Sequence, residues 1–218
     1  MRTKVCGINN MEDMERALSA GASALGFLAG ITHVAEDKVD LDTARHLISI
    51  MPPFTTSVAV THLTNAKDII ELVKYVMCTT VQIHDYIPPE EVTQVREALP
   101  GIKIIKAIHV TGPESIDLAR SFEPVVDALL LDSRTADRLG GTGITHDWDL
   151  SSIIVQNSRV PVILAGGLNQ ENVYQAVRKV HPFAVDVNSG VETKQKKDYH
   201  KMVTFICEAN QAEQDNSL

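Results

Sequence analysis

Little in this chain lends itself to cross-linking. Its 218 residues include three cysteines, Cys6, Cys78 and Cys207, widely spaced and odd in number. No C-x-x-C pattern is present, so neither a disulfide framework nor a structural zinc site is indicated. The expected setting is the reducing cytoplasm. Long apolar runs are missing as well. None approaches the roughly 20 residues a membrane helix needs, and no apolar signal core follows the basic residues of MRTKVCGINN. Positive charge is also short. A formal net charge of −8 argues against nucleic acid and anionic membranes as partners. An anionic ligand must therefore be held by local geometry. Low-complexity linkers and breaks in composition are absent. A chain of this length, 44% hydrophobic, suits one α/β domain with a sizeable core.

What is present is a repeated alternation. Continuous apolar runs, as expected of parallel strands buried on both faces, fall near Thr3–Cys6, Ala24–Leu28, Thr56–Val60, Thr80–His84, Ile102–Ile108, Ala128–Leu131, Val162–Ala165 and Ala184–Val187. Helical patterns lie between them, at Met11–Ala20, Leu41–Ile50, Ala66–Met77, Pro89–Leu99, Pro113–Phe122, Asp149–Val155, Glu171–Val180 and Asp198–Ala209. Asn10, Pro88-Pro89 and Thr111-x-x-Glu114 mark helix starts. Eight strand–helix units with short connections predict a (β/α)8 barrel over residues 1–209 rather than an open doubly wound sheet. The polar residues 210–218 are expected to fray.

The stretch PVILAGGLNQENVYQAVRKVHPFAVDVNSGVE, Pro161 to Glu192, contains two strand ends that turn sharply. Gly166, Gly167 and Gly190 let backbone N–H groups approach a ligand without an intervening Cβ. Asn169 as an N-cap and Ser189-x-x-Glu192 as a capping box predict a helix start at each turn. One such turn is ordinary. Two side by side make an anion site, phosphate above all, where a barrel of this class binds it after strands 7 and 8.

Barrel chemistry is built at the C-terminal ends of strands. Cys6 precedes a glycine at the end of strand 1, where it is either a small hydrophobe or a thiolate base. Asp132 follows four apolar residues, a costly place for a carboxylate unless it faces the mouth as a general acid. His62, His84 and His109 end strands 3, 4 and 5. Converging imidazoles and carboxylates can bind substrate or hold a metal. Gly140 to Gly143 reads as a lid or a turn beside the phosphate.

Taken together, these pieces resemble a known family. Lys4-Val5-Cys6-Gly7 with Asp13, Ala20-Gly21-Ala22 leading to Gly26-Phe27, Val81 to His84, Ile105 to Ile108 and Leu130-Leu131-Asp132 belong to the set. So do Gly140 to Gly143 with Asp147-Trp148, Ala165 to Asn169 with Asn172-Val173, and Val185 to Val187 with Ser189 to Glu192 and Lys197-Asp198. The chain is similar to the phosphoribosylanthranilate isomerase family of tryptophan biosynthesis along its whole length. The resemblance implies a (β/α)8 barrel and an Amadori rearrangement of a phosphorylated small molecule, with no cofactor and no metal. It implies Asp132 as the general acid that opens the ribose and Cys6 as the base at C2′. Phosphate would sit against Gly141, Gly143, Gly166, Gly167, Ser189 and Gly190. The enzyme would work as a monomer or homodimer.

The departures gather on the other half of the mouth. After strand 2 the family carries Ser-Pro-Arg, whose arginine grips the anthranilate carboxylate, whereas Leu28 to Lys38 contains no arginine. A lysine does not replace a planar bidentate clamp without loss. His33, His84 and His109 are the substrate-binding groups expected there, with Glu36 and Asp37 opposing an anionic ring. Two alternatives follow: a paralogue acting on another phosphoribosyl amine, or a sugar-phosphate barrel that is metal-dependent or non-catalytic.

Overall fold

In the computed structural model, residues 1–32, 37–133 and 147–216 are described. Eight parallel strands close on themselves: β1 Arg2–Val5, β2 Ala24–Leu28, β3 Thr56–Thr61, β4 Thr80–Ile83, β5 Lys103–His109, β6 Ala128–Asp132, β7 Val162–Leu164 and β8 Ala184–Val187. Each pairs with the next, and β1 pairs with β8, Lys4 standing opposite Asp186. The helices α1 Met11–Ala20, α2 Leu41–Ser49, α3 Ala66–Val76, α4 Pro89–Ala98, α5 Glu114–Phe122, α6 Trp148–Asn157, α7 Val173–Val180 and α8 Tyr199–Asn216 follow in turn. This is the (β/α)8 barrel that the alternation predicts.

Local chemistry explains the boundaries. Asn10 accepts the Asp13 N–H and caps α1, and Gly21, at φ 94°, ends it. Asn65 caps α3 in the same way. Proline opens α4, where a missing N–H costs nothing. The core divides by strand parity, since alternate side chains point to opposite faces. One set packs between strands and helices, with Phe27, Ile83, Leu129 and Val185 fully buried. The other fills the barrel, with Val58, Ile105, Leu130 and Ile163 in one cluster.

Three expectations need correction. Helix α7 begins at Val173, not at Asn169. Asn169 does accept the N–H groups of Glu171 and Asn172, but these belong to a turn ahead of the helix. No helix opens at the Ser189 capping box either. A short 3-10 turn, Ser189–Val191, leads into a two-stranded hairpin, β9 Glu192–Thr193 and β10 Lys196–Lys197. The Glu192 carboxylate binds Lys197 Nζ at 2.5 Å instead of capping a helix. Finally, residues 210–216 continue α8 rather than fraying. Ala212 is buried, Asp215 accepts from the Tyr174 hydroxyl, and Glu213 pairs with the N-terminal ammonium.

Candidate active site

The parity that fills the barrel also aims the functional groups. Two residues above the apolar layer, the same inward face presents Cys6, His62, His84, His109 and Asp132 at the C-terminal rim. One step below lie Lys4, Gln82 and Asp186, all buried. Lys4 Nζ donates to Asp186 Oδ2 at 2.8 Å and to Gln82 Oε1 at 2.9 Å. Burial alone would lower the pKa of Lys4, but Asp186 and Cys6 outweigh it and the net direction is up.

Two glycines make room for the candidate catalytic pair. A Cβ on Gly26 would lie 2.8 Å from Cys6 Sγ and 2.9 Å from Lys4 Cε. Only a hydrogen there lets thiol and ammonium lie side by side. A Cβ on Gly166 would lie 2.4 Å from Ser133 N and 2.9 Å from Asp132 Oδ1. The first turn of the expected phosphate site is thus in contact with the acid. Asp132 is held by the Ser133 N–H on Oδ1 at 2.8 Å and faces His84 Nε2 with Oδ2 at 3.4 Å. Burial pushes its carboxyl up to about 7, with the charge of Asp186 adding to the effect. A carboxyl that still holds a proton near neutral pH suits a general acid. Cys6 is pushed up to about 11, chiefly by burial, while Lys4 pulls it down. Burial first, and then the carboxylates of Asp186 and Asp37, favour its protonated form.

The histidines converge as expected. His62 stacks on His84 at 4.9 Å between centroids, and His109 meets His84 edge-on at 5.1 Å. Burial and the neighbouring cations hold the pKa of His84 well below the usual value, so its ring is neutral. His84, His109 and Asp132 offer ligand atoms within 4.8 Å of one another. A metal ligand needs a lone pair, however, and the amide of Gln82 removes it. With its oxygen on Lys4, Gln82 turns its Nε2 to His84 Nδ1 at 3.3 Å, leaving the imidazole proton on Nε2, towards Asp132. The donor set favours a hydrogen bond over an ion.

At the β7 and β8 ends the backbone does the shaping. Gly166 and Gly167 adopt φ of 79° and 69°, open to glycine at no cost. Asn172 braces this turn, donating to Gly167 O at 3.0 Å and accepting the Asn169 N–H at 2.9 Å. Gly190 packs against it so closely that a Cβ would sit 1.9 Å from Leu168 O. The N–H groups of Gly166, Gly167, Ser189 and Gly190 have no hydrogen-bond partner among the described residues. His33, Gly141 and Gly143 lie outside the described residues. Asp37 turns towards β8 and accepts from Asn188 Nδ2 at 2.5 Å.

A model of the N-(5'-phosphoribosyl)anthranilate (PRA) isomerase family matches residues 3–208. The chain belongs to the phosphoribosylanthranilate isomerase family. It is 41% identical to N-(5'-phosphoribosyl)anthranilate isomerase 2 of Methanosarcina mazei over 209 residues, covering 94% of this chain and 92% of the relative. The isomerase of Methanocella arvoryzae is equally similar, 41% over 206 residues, covering 94% and 96%. Among solved structures, phosphoribosyl anthranilate isomerase of Thermotoga maritima superposes with a TM-score of 0.86 at 33% identity, covering 97% of this chain and 99% of that one. An isomerase solved with reduced 1-(o-carboxyphenylamino)-1-deoxyribulose 5-phosphate gives a TM-score of 0.83 at 32% identity, with the same coverage.

Within this family member, residue-by-residue reading of the strand ends overlooked the layer beneath them. Lys4, Gln82 and Asp186 each stand two positions before a rim residue, Cys6, His84 and Asn188. That spacing alone puts them on the same inward face. Lys197 belongs to the family pattern but carries no signal of a place at the mouth. The β9–β10 hairpin returns it to the mouth, fully buried, with Nζ on Asn188 Oδ1 at 2.6 Å.

Proposed function

We propose that this chain isomerises N-(5-phosphoribosyl)anthranilate to 1-(2-carboxyphenylamino)-1-deoxyribulose 5-phosphate by acid–base catalysis between Asp132 and Cys6. One observation carries the reading most directly. A carboxyl raised to about 7 stands against the Gly166 turn, so a phosphate held at that turn sets a ribose beside it. Asp132 donates its proton to the ring oxygen, and the C1′–O bond breaks to give a protonated imine. Cys6, having released its own proton to solvent, takes the C2′ proton as a thiolate, giving an enolamine that tautomerises to the ketone. The imine brings a positive charge to the thiol, which favours the thiolate just when a base is required. One proton enters and one leaves, so the reaction is redox-neutral overall and needs no cofactor.

The phosphate rests on the backbone N–H groups of Gly166, Gly167, Ser189 and Gly190. His84 and His109 face the amine portion. We place the enzyme in the cytoplasm as a monomer or homodimer. No helix among the described residues is long and apolar enough to cross a membrane.

The test is direct. Phosphoribosylanthranilate is fluorescent, and purified protein should discharge that fluorescence at a rate proportional to enzyme. No turnover of this substrate at any pH between 6 and 9 would overturn the reading.

A further inference from the structure

One run of hydrogen-bond donors inside the barrel leads from Lys4 to Asp132. An ammonium has no lone pair, so Lys4 must face the oxygen of Gln82, at 2.9 Å. The amide nitrogen is then left to donate, and it lies 3.3 Å from His84 Nδ1. A neutral imidazole that accepts at Nδ1 carries its proton on Nε2. That nitrogen lies 3.4 Å from Asp132 Oδ2, while Oδ1 already receives the Ser133 N–H. From charge to acid, each group donates to the next.

Resting on Asp132 as the general acid, we propose that Lys4 and Gln82 are positioning residues which lock His84 in its Nε2–H tautomer. A donor thereby waits at Asp132 Oδ2 for the negative charge left when the acid gives up its proton. While the carboxyl is neutral the contact is long. Once charge develops, the bond becomes charge-assisted, shorter and about twice as strong. An interaction that strengthens only as the reaction proceeds accelerates it, which uniform binding does not.

The residue types fit this role and few others. Glutamate at position 82 would pair with Lys4 but could only accept, forcing the His84 proton onto Nδ1 and turning a lone pair towards Asp132. A methionine would serve neither end. Lys4 also lies beside Cys6 across Gly26, so the cation that anchors the chain to the acid also stands next to the base. Among the described residues, the charged or titratable groups acting on Asp132 are Lys4 from β1, His84 from β4, His109 from β5 and Asp186 from β8. At the β7 end the Gly166 backbone lies against it. Lys4 and Asp186 form an ion pair, which leaves the orientation of donors, more than net charge, to distinguish the oxygens of Asp132.

Gln82→Glu is nearly isosteric and reverses the last two links, and Gln82→Met removes them at similar volume. Both should lower kcat roughly ten- to a hundredfold, the worth of one hydrogen bond to a charged group, with KM little changed. In Gln82→Met the limb of the kcat/KM profile that reports Asp132 should move to higher pH, because the carboxylate has lost a donor. Nitrogen-15 shifts of the His84 ring should report Nε2–H in the wild type and Nδ1–H in Gln82→Glu. A role confined to packing would lower the Tm of Gln82→Met and leave the tautomer and the pH limb in place. A wild-type His84 protonated on Nδ1, or an active enzyme whose kcat neither variant moves, overturns the proposal. A wild type without turnover of phosphoribosylanthranilate overturns the function instead, and the ring shifts still decide the tautomer.

Discussion

The two halves of the barrel mouth are built from different materials. Around β7 and β8 the chain offers backbone: two glycines at positive φ, a third pressed against Leu168 O, and asparagines that brace the turns. From β1 round to β6 it offers side chains, a thiol, three imidazoles and a carboxyl above a layer of lysine, glutamine and aspartate. A phosphate needs only N–H groups and space, which any sequence folding this way supplies. Proton transfer needs pKa values displaced from their usual range. Burial provides that displacement at a cost, and here it drives the carboxyl and the thiol in the same direction, up. In the proposed reaction the backbone half is the handle, and the side-chain half is where energy is stored.

Exchanging single groups in each half tests that contrast, and the largest expected effect belongs to the proposed acid and base. Asp132→Asn and Cys6→Ala should each lower kcat by ~10²–10⁴-fold, with phosphate or product-analogue affinity nearly unchanged. Asp132→Asn should also stabilise the substrate-free protein. A carboxyl whose pKa rises from 3.8 to about 7 on folding contributes stability that is complete below about pH 4 and lost as pH rises through 7. The asparagine variant escapes that loss. Above pH 8 it should exceed the wild type by roughly 4 kcal/mol at most, since each tenfold change in acidity is worth about 1.4 kcal/mol. Thermal melts from pH 4 to 9 read this as two curves that diverge with rising pH. Parallel curves would mean that Asp132 stores no such energy. A variant that is both dead and more stable is what a functional carboxyl produces.

Next in size comes the handle. In Gly190→Ala the new Cβ would meet Leu168 O at 1.9 Å and Asn169 Cα at 3.1 Å. Both are backbone, so the β7 and β8 turns must separate. Overpacking of this kind costs typically about 1–3 kcal/mol. KM should rise about tenfold while kcat at saturation changes far less, the split expected when binding is lost and chemistry kept. A kcat loss as deep as that of Asp132→Asn at unchanged KM would erase the distinction between the halves.

The same contrast governs what could be read before the structure. The barrel was legible because its strands are unbroken apolar runs and its turns carry glycine and asparagine, signals that act over neighbouring residues. Cys6, Asp132 and the histidines were legible because each ends such a run. The inner layer was not, since Lys4, Gln82 and Asp186 look like interruptions of a strand until parity places them beneath the rim. Their partners lie 78 and 182 positions away in sequence. The capping box at Ser189 misled for a similar reason. The spacing is right, but Glu192 is claimed by Lys197, which a hairpin with Lys194 and Gln195 at positive φ brings back. The fate of residues 210–216 was likewise decided at a distance, by Tyr174 and by the N-terminus.

The smallest effect is the sharpest test of what the handle is made of. Ser189 opens the 3-10 turn after β8, and its side chain is exposed. If phosphate is held by backbone N–H groups, Ser189→Ala leaves those donors where they were and removes only a hydroxyl that water already served. The melting temperature should stay within a degree or two, since surface substitutions of this kind fall within about 0.5 kcal/mol. KM should change by no more than about twofold, which is the same energy expressed as binding. A hydroxyl that bonds directly to the phosphate would behave otherwise. Losing a hydrogen bond to a charged acceptor costs about 1.5–3 kcal/mol, at least tenfold in affinity. The two outcomes do not overlap, so a titration of Ser189→Ala with inorganic phosphate, read as competition against substrate, separates a backbone cradle from a side-chain one.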